Sequence, residues 1–76
     1  MVKKGLYKHY NNKLYEVIGT AYHSETLEEL VVYRGLYDDP KFGYQPLWVR
    51  PAKMFLEEIE IDGIMKARFE YQQQNA

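Results

Sequence analysis

Three consecutive residues, His23, Ser24 and Glu25, bring together a base, a hydroxyl and a carboxylate. A nucleophilic triad needs these groups to converge in space, with the histidine between the other two. Neighbours in one segment do not converge in that way easily. We therefore predict a turn here, in which the Ser24 and Thr26 hydroxyls bond nearby backbone groups, and no catalytic residues.

A metal site would have to use the two histidines, His9 and His23, with an acid such as Glu25. If the chain turns back at Asn11–Asn12, His9 lies opposite Leu14, far along the strand from His23. The two imidazoles then cannot share an ion. The chain also has no glycine-rich phosphate loop, and we predict neither a metal site nor a cofactor.

Trp48 and Arg50 are better candidates for binding. They lie two residues apart in a β-like run, so they share one face of a strand, and both residue types are enriched at interaction hot spots. We expect Leu47 and Val49, on the other face, to enter the core. Two interpretations stay open: an exposed recognition surface, or a Trp48 that plugs one end of a barrel while Arg50 pairs with a carboxylate of residues 57–60.

Tyrosine is abundant, with eight among 76 residues. Its apolar ring and polar tip suit a thin core or an aromatic groove. SH3-like grooves bind extended segments through such aromatic ridges, so we expect a groove that holds a peptide segment or another protein. Its predicted members are Tyr7, Tyr22, His23, Tyr37, Tyr44, Trp48 and Arg50.

An alternative ligand is single-stranded nucleic acid, which small barrels hold by phosphate contact and base stacking. The N-terminal lysines interleave with aromatic rings in the required way. Against this, the net charge is −1, whereas nucleic-acid domains usually carry a larger basic excess. The alternative site consists of Lys3, Lys4, Lys8, Tyr10 and Lys13.

Length and composition exclude several function classes. A single domain of 76 residues rarely builds a water-excluding catalytic pocket, so we do not expect an enzyme. The chain has no cysteine, which excludes disulfides and favours a reducing compartment. It has no apolar run of the roughly 18 residues that span a bilayer, and no signal-peptide pattern at its start. We expect a cytoplasmic protein that does not bind membranes.

Three strands are predicted in the first half of the chain, over residues 5–10, 13–22 and 28–37. In the second strand, Tyr15 and Val17 should point inward, and Gly19 indicates a bulge or bend. The third strand is apolar on both faces and should be central.

The second half begins with a loop over 38–46, followed by a strand over 47–50 that ends at Pro51. Pro51 should start a helical turn over 52–55. Strands over 57–61 and 65–71 should form a final hairpin. Its register stays open: a two-residue loop would pair Ile61 with Ile64, and a longer one would pair Ile61 with Lys66.

These elements predict a mainly β fold, namely a small SH3-like β-barrel of five to six antiparallel strands with one short helical turn. A meander closed by the final hairpin is the alternative. The barrel should occupy residues 1–71, with a disordered polar tail over 72–76. Because strand edges can pair between chains, we expect a monomer or a weak dimer.

A series of short motifs follows one another along the chain: Gly5-x-Tyr7-x-His9-Tyr10, Tyr15-x-Val17-x-Gly19, His23-Ser24-Glu25-Thr26, Leu30-Val31-Val32-Tyr33, Leu36-Tyr37, Leu47-Trp48-Val49-Arg50-Pro51, Met54-Phe55, Asp62-Gly63 and Arg68-Phe69. In their order and spacing they resemble the bacterial domain of unknown function 1653 family over roughly residues 5–69. The resemblance implies a compact, stand-alone protein with an SH3-like fold, and no known activity or site. The segment 38–46 departs from the family's shorter connection before the tryptophan strand.

The sequence thus predicts an uncharacterised non-enzymatic binding module that recognises a protein or peptide segment. Weak nucleic-acid binding through the lysine and tyrosine face is the alternative.

Overall fold

The computed structural model of the protein describes residues 2–73, and they form a mainly β, antiparallel fold. This coarse fold class agrees with the sequence. The elements are β1 (Gly5–His9), β2 (Leu14–Tyr22), β3 (Glu29–Gly35), β4 (Asp38–Asp39), β5 (Gly43–Tyr44), β6 (Leu47–Pro51), α1 (Ala52–Phe55), β7 (Glu58–Ile61), β8 (Ile64–Ala67) and β9 (Phe69–Gln73).

The main sheet has five strands in the order β6-β3-β2-β1-β9, and two short hairpins, β4-β5 and β7-β8, complete the fold. The register between β2 and β3 shifts between Val17 and Gly19, which confirms the predicted bulge. Tyr15 and Val17 are buried, as expected from the alternation in β2. We call the sheet face that carries them the inner face.

The turn between β1 and β2 is one residue longer than predicted. The Lys8–Leu14 pair is the last before the turn, and the His9 amide donates to the Lys13 carbonyl at 2.9 Å. Asn12 takes the left-handed conformation at φ 74°, which asparagine tolerates better than most residues. The expected pairing of His9 with Leu14 was therefore wrong by one position.

The sheet does not close into a barrel. Within residues 2–73 its edge strands, β6 and β9, are not paired with each other. The helical turn α1 follows β6 directly, and its Phe55 packs against rings from β1, β3 and β9. Phe55 thus ties the helical turn to three strands of the sheet through aromatic contacts.

Aromatic rings make up most of the core. Phe55 is only 1% exposed and stacks on Phe69 at 4.2 Å between centroids, with the two planes 7° apart. Tyr7 and Tyr33 meet Phe55 edge-on, at 5.3 and 5.5 Å. Such offset and edge contacts stabilise aromatic pairs beyond the area that they bury.

The C-terminal strands are shorter than predicted. Ile61 pairs with Ile64 around a two-residue turn, and Asp62 and Gly63 both have positive φ, which settles the open register. The strand expected over 65–71 is split at Arg68, whose guanidinium pairs with Glu57 at 2.8 Å. After this break the chain leaves β7 and pairs with β1 instead.

Strand β9 runs to Gln73, two residues into the segment predicted as a disordered tail. Residues 74–76 of that tail lie outside the described residues.

Candidate binding site

Trp48 and Arg50 lie on the inner face of the sheet. In the register between β3 and β6, Trp48 pairs with Tyr33 and Arg50 pairs with Val31. Directly paired residues share a face, and both Tyr33 and Val31 are buried on the inner one.

Leu47 and Val49 occupy the outer face and are 58% and 61% exposed. The expectation that these two residues enter the core was therefore wrong. Because Leu47 and Val49 are aliphatic, the sequence favoured their face of the strand as the buried one. The register with β3 instead places Trp48 and Arg50 on the inner face.

An open cavity of about 300 Å³ lies on the inner face beside β6. We call it the aromatic pocket. Its walls contain aromatic rings from three strands and from the segment after β3, together with one cation and one carboxylate. The lining residues are Tyr15, Tyr33, Tyr37, Asp39, Trp48 and Arg50.

Tyr37 is fixed from three sides. Its hydroxyl shares a hydrogen bond with the Tyr15 hydroxyl at 3.1 Å. The Lys13 ammonium lies over its ring, 4.7 Å from the centroid. The ring also covers Gly35 so closely that a Cβ there would lie 2.6 Å from the Tyr37 Cε2 atom. Glycine at position 35 is thus what allows Tyr37 to form this wall.

Arg50 is held by two aromatic side chains and not by a carboxylate. Its Nε donates to the Tyr33 hydroxyl at 3.3 Å, and its guanidinium lies 5.7 Å from the centre of the Phe69 ring. Within residues 2–73 it forms no ion pair, because Glu57, the predicted type of partner, bonds Arg68 instead. Arg50 therefore gives the pocket a positive charge.

The carboxylate of Asp39 is engaged with its own loop. Its Oδ1 accepts the backbone amides of Lys41 and Phe42 at 2.8 and 2.9 Å, which holds the tip between β4 and β5. The Phe42 ring then packs edge-on against Trp48 at 5.2 Å. The segment 38–46, expected as an irregular loop, is thus a small hairpin that supports the pocket wall.

Burial raises the pKa of the Tyr15 hydroxyl above its ordinary value, and the bond to Tyr37 acts in the same direction. Tyr15 therefore stays neutral across the physiological range. The indole Nε1 of Trp48 is buried and finds no acceptor in residues 2–73. Neither residue brings a negative charge to the walls of the pocket.

Three of the seven residues predicted for an aromatic groove line this pocket: Tyr37, Trp48 and Arg50. Tyr7 lies in the core instead. Tyr22 and Tyr44 are exposed and do not line the pocket.

The sequence analysis missed Tyr15, Tyr33 and Asp39 as pocket residues. The alternation of residues in β2 predicted that Tyr15 points inward, but it could not show whether Tyr15 lies in the core or in the wall of a pocket. Asp39 is brought to the pocket by the β4-β5 hairpin, which carries no strong strand pattern.

His23 shapes the turn between β2 and β3. Its Nδ1 accepts the amides of Glu25 and Thr26 at 3.1 and 3.3 Å, and its carbonyl accepts the amide of Leu27 at 2.8 Å. The Thr26 hydroxyl accepts the Glu28 amide. The predicted turn is confirmed, but the His23 imidazole makes the hydrogen bonds to the backbone that we expected of the Ser24 hydroxyl.

The lysines of the alternative site lie in different places. Lys3 lies over the Tyr71 ring, Lys13 over Tyr37, and the Lys4 side chain lies near Gly19. Lys8 and Tyr10 line a second cavity of about 260 Å³, together with His9, Asn12, Ile61, Lys66, Ala67 and Glu70.

His9 predicts a specific pH dependence. Burial lowers its pKa below the ordinary value of about 6.5 by more than the hydrogen bond with Asn11 raises it, and the charges of Arg50, Arg68 and Lys13 act in the same direction as burial. The unfolded chain therefore binds a proton at higher pH than the folded one, so stability falls as the pH drops from about 6.5 through the folded-state pKa. We expect an NMR titration midpoint for the His9 ring below 6.5, and a smaller loss of stability between pH 7.5 and 5.5 in His9→Gln. A midpoint at or above 6.5 would contradict this prediction.

No group of three His, Cys, Asp or Glu side chains that would suit a metal ion occurs within residues 2–73. In the same part of the chain, no helix has the length and apolarity needed to cross a membrane.

The fold and the pocket define a class: small antiparallel β proteins with an open aromatic pocket beside an edge strand. The family model "Protein of unknown function (DUF1653)" matches residues 5–71, and the chain belongs to that family. A crystal structure of a DUF1653 protein from Bordetella bronchiseptica is similar, with a TM-score of 0.85 and 28% identity over 99% of this chain and 92% of that one. No curated protein matches the chain significantly. The resemblance found in the sequence is confirmed.

Proposed function

We propose that the protein is a non-enzymatic binding module that holds a peptide segment, or an extended segment of another protein, in the aromatic pocket. The observation that carries the proposal is the open cavity of about 300 Å³ whose aromatic walls are fixed before any ligand arrives. Preformed cavities that combine aromatic side chains with a few placed polar groups are a usual form of a binding site.

The fixed geometry of the pocket supports binding because little order has to be gained when a ligand enters. The Tyr15–Tyr37 bond, the Arg50–Tyr33 bond and the Phe42–Trp48 contact hold the walls. Rigid aromatic and arginine side chains lose little conformational entropy on binding and are typical hot-spot residues.

The position of the pocket suits an extended ligand. The pocket is open, and two of its lining residues, Trp48 and Arg50, lie on β6, which is an edge strand of the main sheet within residues 2–73. SH3-like domains bind extended segments beside aromatic ridges. The proposal therefore includes an SH3-like arrangement of the strands. It also includes a bacterial origin and a cytoplasmic location for the protein. The aromatic groove predicted from sequence is then this pocket, with different members.

A peptide array tests the proposal. We expect the wild-type protein to bind a subset of short peptides, with binding reduced about tenfold or more by Trp48→Ala or Tyr37→Ala, since hot-spot truncations cost upwards of about 2 kcal/mol. Tyr44→Ala is the matched control, because Tyr44 is exposed and does not line the pocket. Equal binding by all of these folded variants would contradict the proposal.

Nucleic-acid binding remains a second candidate because Lys8, Lys66 and Tyr10 line the second cavity together. It has less support, since the lysines of the predicted face point to separate places and Glu70 shares that cavity. Affinity for a single-stranded oligonucleotide that falls steeply with salt, without any peptide binding, would favour it over the peptide.

A further inference from the structure

We infer that the group that enters the aromatic pocket is a carboxylate, with Arg50 as its cation. This inference rests on the proposed function and names the chemistry of the ligand. A carboxylate reaches the pocket from two sources: the C-terminus of a peptide chain, or an Asp or Glu side chain within it.

The charge at the pocket supports an anion. Arg50 has no ion pair within residues 2–73, and Lys13 adds a second cation on the Tyr37 wall. The carboxylate in the pocket, Asp39, already accepts two backbone amides through Oδ1. Asp39 keeps its negative charge, so the charged side chains at the pocket, Arg50 and Lys13 against Asp39, sum to +1, which favours an anion.

The hydrogen-bonding groups of the pocket also favour an acceptor. The bond to Tyr33 uses only the Nε of Arg50, which leaves the two terminal amino groups of the guanidinium to bind a carboxylate side by side. Tyr33 accepts in that bond, so its own proton is left to donate. One hydroxyl of the Tyr15–Tyr37 pair likewise keeps a proton that the pair does not use.

A cation is the opposite hypothesis, because aromatic cages hold methylated ammonium groups. Two observations argue against it here. The guanidinium of Arg50 is part of the wall, and like charges repel at this range. The outer position over Tyr37 is already taken by Lys13, 4.7 Å from the ring centre.

The test uses one peptide array printed in three forms, with Trp48 fluorescence titrations of the best binders. The forms are a free C-terminal carboxylate, a C-terminal amide without acidic residues, and a C-terminal amide with one internal Asp or Glu. Trp48 is the one tryptophan of the chain, so its emission reports on the pocket directly. We expect at least one carboxylate form to bind about tenfold or more tightly than the neutral amides, and the form that does so identifies the source.

Arg50→Gln should reduce that preference to within about twofold, while Arg34→Gln, an arginine on the outer face of β3, should keep it. The comparison of peptide forms needs only the wild-type protein, so it stands even if Arg50→Gln fails to fold. Equal binding of neutral and carboxylate peptides through the pocket would overturn this inference and leave the proposed function intact. A preference for peptide amides that carry trimethyl-lysine and no acidic residue, printed beside the three forms, would do the same. Absence of any pocket-dependent peptide binding would overturn both.

Discussion

Replacing Phe55 with alanine should cost about 3–5 kcal/mol of folding free energy, the largest loss expected from any single substitution in the core. Phe55 is 1% exposed, stacks on Phe69 and meets Tyr7 and Tyr33 edge-on. Its removal would leave a cavity among these rings, which come from strands β1, β3 and β9. Proteins of this size have only about 0.05–0.15 kcal/mol of stability per residue, so the variant should be largely unfolded or close to it. Urea unfolding measured by far-UV circular dichroism checks this.

Two further variants separate the specific role of Phe55 from a general effect of mutation. Leu56→Ala alters the next residue, which is 62% exposed, and should change stability by no more than about 0.5 kcal/mol. Phe55→Leu keeps most of the apolar volume and should cost on the order of 1–2 kcal/mol, which keeps the comparison measurable if the alanine variant does not fold. A loss below about 1 kcal/mol for Phe55→Ala would show that the stability of the core does not depend on this ring.

The packing of Phe55 is a part of the fold that the sequence did not predict. The short helical turn after Pro51 was predicted with its correct limits, because proline at the first position and the preceding strand pattern are local signals. That its phenylalanine packs into the aromatic core depends on contacts with β1, β3 and β9, which lie far away in the chain. No local pattern carries that information.

At the candidate site, too, one feature was predicted correctly from local sequence and another was not. Alternation within β2 correctly placed Tyr15 and Val17 inward, because the opposite face of that strand carries the polar residues Glu16 and Thr20. In β6 both faces carry apolar residues, so hydrophobicity alone favoured the wrong one. The register with Tyr33 decides the face, and register is set by pairing between strands rather than by the strand itself. The sequence thus correctly placed Trp48 and Arg50 on one face of β6, but it did not identify the residues that surround them.

Gly35→Ala should disrupt the aromatic pocket by moving one of its walls. The added Cβ would lie 2.6 and 2.7 Å from the Cε2 and Cζ atoms of Tyr37, closer than carbon atoms approach each other, so the ring must shift. That shift should break the Tyr15–Tyr37 hydrogen bond and cost about 1–3 kcal/mol, as overpacking of a fixed site does. Binding to the peptides selected by the wild-type protein should fall together with stability. Chemical unfolding and Trp48 fluorescence titrations measure the two effects.

Gly19→Ala is a matched control in the same sheet. The nearest atom to its added Cβ is the Lys4 Cε at 3.9 Å, which is ordinary contact, and Gly19 does not have the positive φ that would strain alanine. Alanine there should leave stability unchanged or raise it by up to about 1 kcal/mol, because it restricts the unfolded chain. If Gly35→Ala matched Gly19→Ala in both stability and binding, Tyr37 would have room to move without loss, and the pocket would not depend on the close contact at position 35. A loss confined to Gly35→Ala would show that the smallest residue in β3 keeps this wall in place.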